Sequence, residues 1–228
     1  MIEERVKRIL KNLPAKVELL VATKGRDVKE IEHTIAGGVR LVGENYVKEA
    51  SQKFIAIGHK VKWHLIGHLQ TNKAKYAVKI FDLIETLDSF ELANALDREC
   101  KKIGKIMPVL IEVNSAKETQ KYGVLSEEVE NFLERILEFE HLRPQGLMTM
   151  GPWQENPESL RPYFRRLREL FEEIKNNYGS LLEWKYLSMG MSSSYKVAIE
   201  EGANIVRLGT VIFGERKMNK IVDTTDEV

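Results

Sequence analysis

The sequence has few features of a secreted, membrane-bound or nucleic-acid-binding protein. Its 228 residues include one cysteine, Cys100, so no disulfide can form within the chain, as is typical of a reducing compartment. Lys and Arg number 35 against 34 Asp and Glu, and the net charge of +1 provides no overall field for nucleic acid or an anionic membrane. No apolar run reaches transmembrane length. We therefore expect a soluble, cytoplasmic protein in which any anion site is local.

The chain also lacks obvious boundaries. Its N-terminal segment, MIEERVKRILKNL, predicts a charged amphipathic helix without the apolar core of a signal peptide. No Gly/Ser-rich linker or low-complexity tract divides the rest, so we expect one domain over residues 1–228. The polar tail, residues 217–228, is expected to fray.

Short β-rich apolar runs alternate with segments of helical spacing along the whole chain. They predict eight strands, at residues 17–23, 40–43, 62–66, 81–86, 107–113, 145–150, 185–189 and 205–208. Eight alternations favour a closed (β/α)₈ TIM barrel of parallel strands, preceded by an extra N-terminal helix, over an open sheet. In such a barrel the functional side chains lie at the carboxyl ends of the strands.

Residues 186–216 carry the most informative pattern: strand, Gly/Ser turn, helix, strand and a second Gly-bearing turn. Ser192, Ser193 and Ser194 could cap the helix, which is expected to extend to about Glu201. A helix N-terminus presents free backbone N–H groups and the positive end of the helix dipole, and both suit a phosphate. Together with the turn at Gly209, the pattern predicts a phosphate site at the barrel mouth.

Lys24 follows the apolar run VELLVAT, which places its amine at the barrel rim. There it could pair with Glu44 as an ordinary surface lysine, or form a Schiff base with an aldehyde. A reactive lysine and a phosphate site at one barrel mouth would together fit pyridoxal 5′-phosphate (PLP), which carries both an aldehyde and a phosphate.

Arg207 is the one charged residue of the last predicted strand. It could form an ion pair with Glu44 or Glu112, or face the pyridine nitrogen of PLP. In the second case its charge would keep that nitrogen unprotonated and weaken the ring as an electron sink. Such a site would hold the cofactor more readily than drive carbanion chemistry.

Five segments occur in order at the predicted strand ends: Lys24, GENYVKEA, WHLIGHLQTNK, GLMTM and SMGMS with AIEEGANIVRLGTVIFGER. With these segments the chain closely resembles the pyridoxal phosphate homeostasis proteins over residues 18–216. The resemblance implies a stand-alone barrel like the N-terminal domain of alanine racemase, which binds PLP as a Schiff base without established catalytic turnover. It also implies roles in storing PLP and delivering it to apo-enzymes.

The resemblance assigns roles to individual residues. Lys24 would form the Schiff base, and Asn45 would lie near the ring or its hydroxyl. The phosphate would be bound by Ser192, with Ser188 or Ser193 as further partners, and by Gly209 and Thr210. Arg207 would face the pyridine nitrogen, while His64 and Met148 would line the ring pocket, although a strand-end Met can equally fill the core and a lone His can be structural.

The chain departs from the family pattern at two positions. Ser194 stands where the family usually has aspartate, which removes a negative charge near the phosphate. Thr23 precedes Lys24 where the family commonly has serine, which keeps the hydroxyl.

A second lysine, Lys121, lies in the loop after the fifth predicted strand. We hypothesise that it is a second reactive amine, besides Lys24, that takes up PLP or hands it on. The alternative is a solvated loop lysine. His64 and His68 could in principle ligate a metal, but no carboxylate or cysteine follows at ligand spacing, so no metal site is predicted.

The leading functional prediction is a monomeric, non-enzymatic PLP carrier. One alternative is a PLP-dependent amino-acid racemase, which needs two opposed proton-transfer groups, whereas the racemase family takes its second base from another domain of a partner subunit. A barrel enzyme acting on a phosphorylated sugar is a further alternative.

Overall fold

The computed structural model describes residues 1–118 and 120–215. Its strands are β1 (Glu18–Ala22), β2 (Leu41–Glu44), β3 (Lys62–Leu65), β4 (Leu83–Leu87), β5 (Met107–Asn114), β6 (Val124–Leu125), β7 (Leu142–Met148), β8 (Tyr186–Met191) and β9 (Ile205–Leu208). Its α-helices are α1 (Ile2–Asn12), α2 (Val28–Ala36), α3 (Val47–Ile57), α4 (Ala74–Ile80), α5 (Phe90–Ile103), α6 (Val129–Ile136), α7 (Arg161–Tyr178), α8 (Tyr195–Glu200) and α9 (Thr210–Phe213). The tail at residues 217–228 lies outside the described part of the chain.

Eight of these strands form a closed parallel barrel. Their order is β4-β3-β2-β1-β9-β8-β7-β5, and pairing of β4 with β5 closes the ring. The two-residue strand β6 pairs with β5 alone and lies outside the ring. The predicted (β/α)₈ barrel is confirmed, as is the helix that precedes it. That residues 1–228 form one domain stays a prediction.

The largest difference between predicted and observed strands is in β7, which begins at Leu142 and so contains Pro144. Proline cannot donate a ladder hydrogen bond and is tolerated where pairing is irregular. The register between β5 and β7 shifts between Val109 and Ile111, next to the position that pairs with this proline. Gly146 follows with φ +153°, and a Cβ atom there would lie 1.8 Å from the carbonyl oxygen of Tyr186.

Side chains alternate between the two faces of each strand. The outward residues pack under the helices, and the inward ones include the apolar residues Leu20, Leu41, Leu83, Leu110, Met148 and Ile205. Two positions further along the strands, the inward residues become polar: Glu85 follows Leu83, Glu112 follows Leu110 and Arg207 follows Ile205. An apolar layer therefore underlies a charged layer at the carboxyl end of the barrel.

Cys100 is fully buried in α5. Burial raises the pKa of its thiol to about 11, so it remains protonated at neutral pH. Within residues 1–118 and 120–215, the structure has no helix with the length and apolar character needed to cross a membrane.

Candidate functional site

The carboxyl ends of β1, β9 and β8 are neighbours in the barrel. Lys24 lies in the turn after β1, Ser192 in the turn after β8, and Gly209 directly after β9. The structure thus brings the predicted amine and the predicted phosphate turns to the same part of the barrel mouth.

Two backbone N–H groups converge beside Ser192. Its Oγ accepts hydrogen bonds from the amides of Gly209, at 3.2 Å, and Val211, at 3.3 Å. Since a hydroxyl oxygen already accepts both bonds, a phosphate oxygen could accept them too. Thr210, between the two donors, is exposed at the start of α9.

The other two serines of the SSS run serve different ends. Ser193 is exposed, whereas Ser194 is buried and accepts a hydrogen bond from the Met191 amide at 3.2 Å. Ser194 occupies the N-cap position of α8, but its side chain caps no helical N–H. The prediction of a serine side-chain cap is therefore wrong, because the Ser194 hydroxyl binds its own turn and the Ser192 hydroxyl binds the neighbouring loop. The helix ends at Glu200, one residue before the predicted end.

Lys24 is partly exposed and approaches one aromatic residue. Its Nζ donates to the Tyr46 hydroxyl at 3.1 Å and lies 4.7 Å from the ring centroid. The alternative of a pair between Lys24 and Glu44 is wrong, since Glu44 is buried and bonded elsewhere. Asn45, also predicted, follows β2 directly before the tyrosine and is partly buried. Gly67 packs so closely against it that a Cβ atom on Gly67 would lie 2.4 Å from the backbone carbonyl oxygen of Asn45.

A buried ion cluster fixes the backbone on both sides of this lysine. Lys53 of α3 donates to the Thr23 carbonyl oxygen at 2.7 Å, to Glu44 at 2.6 Å and to Glu49 at 2.7 Å. Glu49 also accepts a hydrogen bond from the Gly25 amide at 2.6 Å. Burial outweighs the Lys53 charge and raises the pKa of Glu44. The cluster was not predicted, although the i, i+4 spacing of Glu49 and Lys53 is visible in the sequence.

A second buried network crosses the barrel interior around Glu85, which is fully buried. Its carboxylate lies 2.7 Å from His64 Nδ1 and accepts a hydrogen bond from the Ser188 hydroxyl at 2.6 Å. Arg207 donates to the Ser188 oxygen and to the Thr149 carbonyl oxygen, each at 2.7 Å, and lies 3.9 Å from the carboxylate. Side chains of β3, β8 and β9 therefore meet at a charge on β4.

This network contains three of the predicted site residues, His64, Ser188 and Arg207. Burial alone would raise the pKa of the Glu85 carboxyl, but His64, the guanidinium and the serine hydroxyl outweigh it and hold the pKa below its usual value. Ser188 is engaged inside the barrel and is not joined to the Ser192 turn. The alternative of an ion pair between Arg207 and Glu44 or Glu112 is wrong, because the acid that Arg207 approaches is Glu85, which the sequence analysis missed.

Met148 is fully buried and packs against Leu83 and Leu110 in the layer beneath these charges. It belongs to the apolar layer of the barrel, and its role in lining the ring pocket stays a prediction.

Lys121 does not point freely into solvent. Its Nζ donates to Glu118 at 2.9 Å and to the Gly151 carbonyl oxygen at 3.1 Å, which ties the loop after β5 to the loop after β7.

His68 pairs with Asp88, at 3.3 Å between Nδ1 and Oδ2, and stacks on Tyr122 with ring centroids 3.6 Å apart. It does not join His64, and no three His, Cys, Asp or Glu residues of the described chain are grouped to hold a metal ion.

Glu112 is the second buried acid of the charged layer. No group in residues 1–118 or 120–215 donates a hydrogen bond to its side chain, although the residue is only 8% exposed. Burial and the neighbouring Asp88 raise the pKa of Glu112 to about 7, against the opposing effect of Arg207. It is therefore a carboxyl group that changes charge near neutral pH.

Comparison with known proteins gives a consistent family. The family model described as "Alanine racemase, N-terminal domain" matches residues 1–217. The pyridoxal phosphate homeostasis protein of Aquifex aeolicus is 42% identical over 94% of this chain and 98% of its own length. That of Synechocystis is 34% identical over 91% of this chain and 95% of its own length. The chain belongs to the pyridoxal phosphate homeostasis protein family.

Solved structures agree with this membership. PipY of Synechococcus elongatus, solved with PLP bound, is 31% identical to this family member. The match covers 94% of this chain and 100% of the PipY chain, with a TM-score of 0.86. An alanine racemase of Clostridium difficile is 14% identical and superposes with a TM-score of 0.76 over 97% of this chain and 58% of its own. The second likeness concerns the fold alone.

Replacement of Lys53 by methionine tests the cluster under the Lys24 turn. The Lys53→Met variant should unfold with about 3 kcal/mol less free energy, because the buried Glu44 loses its cation. Urea denaturation at pH 7 measures this. Lys48→Met, an exposed lysine of the same helix, should change stability by less than about 0.5 kcal/mol. Equal effects of the two substitutions would show that the cluster does not stabilise this family member.

Glu112→Gln should change how stability depends on pH. The ordinary pKa of 4.5 rises to about 7 in the folded state, so the folded protein keeps the proton that the unfolded chain loses. The wild type should therefore lose stability between these values, and the variant should not. Above pH 7 the variant should be more stable by about 2 to 3 kcal/mol, while below pH 4.5 the two should differ little. Denaturation curves at pH 4.5, 6 and 8 measure this, and a constant difference would contradict it.

Proposed function

We propose that this chain binds PLP at the mouth of its barrel, with the aldehyde joined to Lys24 as a Schiff base and the phosphate held by the Ser192 and Gly209 turns. The observation that carries the proposal is the convergence of the Gly209 and Val211 amides on one oxygen beside the strand that leads to Lys24. An amine and an anion cradle on neighbouring strand ends match the two reactive ends of one small molecule.

The residues around the cradle fit this cofactor. Lys24 is held through its backbone neighbours, while its amine donates a hydrogen bond only to the Tyr46 phenol among the described residues. Arg207 offers a fixed cation beside the barrel interior, and its hydrogen bonds to Ser188 and Thr149 set its direction. When bound, PLP supplies an electrophilic aldehyde and a conjugated ring. The chain supplies the amine, the anion cradle and the positioned guanidinium.

We infer that the role is storage and delivery of PLP to apo-enzymes in the cytoplasm, by a monomer and without turnover of its own. Family membership supports this role, and Arg207 favours it, since a permanently charged guanidinium at the pyridine nitrogen would keep that nitrogen unprotonated and so weaken the ring as an electron sink. A racemase would need a second proton-transfer group opposite Lys24. Interconversion of L- and D-alanine above the rate of free PLP would favour the racemase instead.

The Lys24 assignment is tested with PLP-loaded protein. Borohydride reduction followed by peptide mapping should place the reduced adduct on Lys24, and the visible absorption of the bound aldehyde should disappear in Lys24→Ala. Lys48→Ala, which removes an exposed lysine, should keep both. An adduct on another lysine in the wild type would refute the assignment.

We further propose that Lys121 is a second reactive amine, besides Lys24, that takes part in uptake and release of PLP. Its hydrogen bond to the Gly151 carbonyl oxygen holds it between two loops of the barrel's carboxyl end. Lys121→Ala should slow both the loading of PLP and its transfer to an apo-enzyme, followed by absorbance and by recovered enzyme activity. Lys117→Ala, an exposed lysine of the same loop, is the control. Unchanged rates in Lys121→Ala would exclude the role.

A further inference from the structure

Two buried acids lie side by side at the barrel mouth, and among the described residues only His68, which contacts Asp88, forms an ion pair with either of them. Asp88 follows β4, one position beyond the paired residues Leu87 and Ile111, so it is the neighbour of Glu112 on β5. The Asp88 side chain is 7% exposed, and its Oδ1 atom is buried without a hydrogen-bond partner. Glu112 is similarly buried and accepts no hydrogen bond from the described chain. Buried carboxylate oxygens are normally hydrogen-bonded, so the Asp88 Oδ1 atom indicates an absent donor.

The surrounding charges leave the pair short of positive charge. His68 reaches Asp88 from the outer side, with 33% of its side chain exposed. Arg207 acts on Glu112 from across the interior, but its own hydrogen bonds go to Ser188 and Thr149. Burial raises the pKa of Asp88 in spite of the histidine. A ligand that brings one positive charge and several N–H donors would satisfy both acids.

We propose that Asp88 and Glu112 form a binding site for the primary ammonium group of a small aliphatic amine. An ammonium group carries one charge and three donors, which matches two neighbouring acids with free acceptor atoms. A divalent metal is a poorer match, because no three ligating side chains of the described residues are grouped around a common point.

The pair of acids lies across the barrel mouth from Lys24. In the ring of eight strands, β5 lies four places from β1 in either direction, and β4 lies four places from β9. An amine bound by Asp88 and Glu112 would therefore face the Lys24 and phosphate side of the mouth. If the proposed function holds, the site would keep a second amine within the same opening as the PLP aldehyde.

The test uses the full chain freed of cofactor, so that its outcome is independent of PLP binding. n-Butylamine hydrochloride is titrated calorimetrically at pH 7 in PIPES and in MOPS, since buffers with a primary amine would compete. We expect saturable binding with release of protons to the buffer, because the ammonium favours the ionised form of Glu112. n-Butyltrimethylammonium chloride, which has the charge but no N–H donor, should bind at least about tenfold more weakly.

Matched variants locate the binding. Glu112→Gln should weaken n-butylamine binding at least about tenfold and abolish the proton release, and Asp88→Asn should weaken binding similarly. Glu128→Gln, which neutralises an exposed glutamate, should behave as the wild type. Circular dichroism checks that each variant is folded. The proposal is overturned if no saturable heat appears, if potassium chloride or the quaternary amine gives an equal response, or if both folded site variants retain affinity and proton release.

Discussion

A carboxylate sealed inside a closed barrel must be neutralised by side chains from other strands, and Glu85 shows how this is done here. His64 comes from β3, Ser188 from β8 and Arg207 from β9, so the charge on β4 is matched by groups around the ring. Each partner also depends on the others, because Ser188 donates to the carboxylate and accepts from the guanidinium. The network fixes the direction of Arg207 before any ligand arrives, and so preorganises the floor of the mouth.

The apolar layer below this network is a condition for it. Leu83, Leu110 and Met148 exclude water from the barrel interior, which strengthens the hydrogen bonds above them and makes an unpaired acid costly. Glu85 and Glu112 lie on neighbouring strands, yet their pKa values move in opposite directions. The difference arises from partners, since one acid has three donors or cations near it and the other has a like charge as its neighbour.

The sequence was sufficient for the barrel and for which turns meet at its mouth. Lys24, Ser192 and Gly209 follow strands that are easily recognised, and the closure rule for eight parallel strands makes their turns neighbours. It was insufficient for Glu85, which occurs in the run LIETL and contacts Ser188 at a distance of 103 residues along the chain. That contact depends on strand register, which the local pattern of one strand does not contain. Spacing of two from an inward leucine would have indicated that Glu85 and Glu112 point inward.

The serine run shows a different limit. Ser192, Ser193 and Ser194 are equally good helix caps by composition, but the structure separates them by what each hydroxyl meets. Ser192 accepts amides from the neighbouring loop, and Ser194 closes its own turn. Hydroxyl groups bind whichever donor tertiary packing brings near, so propensity alone could not assign them.

The hydrogen bonds that hold the Lys24 turn affect the rate of exchange at Lys24 as well as its geometry. Thr23 and Gly25 are both held by the α3 cluster, so the backbone on either side of the lysine cannot move without breaking a hydrogen bond to that cluster. The Lys24 amine donates a hydrogen bond to the exposed Tyr46 hydroxyl. Exposed side chains change rotamer within picoseconds to nanoseconds. Exchange of a bound aldehyde at this lysine would therefore be paced by making and breaking the carbon–nitrogen bond, with no slower opening of the protein required.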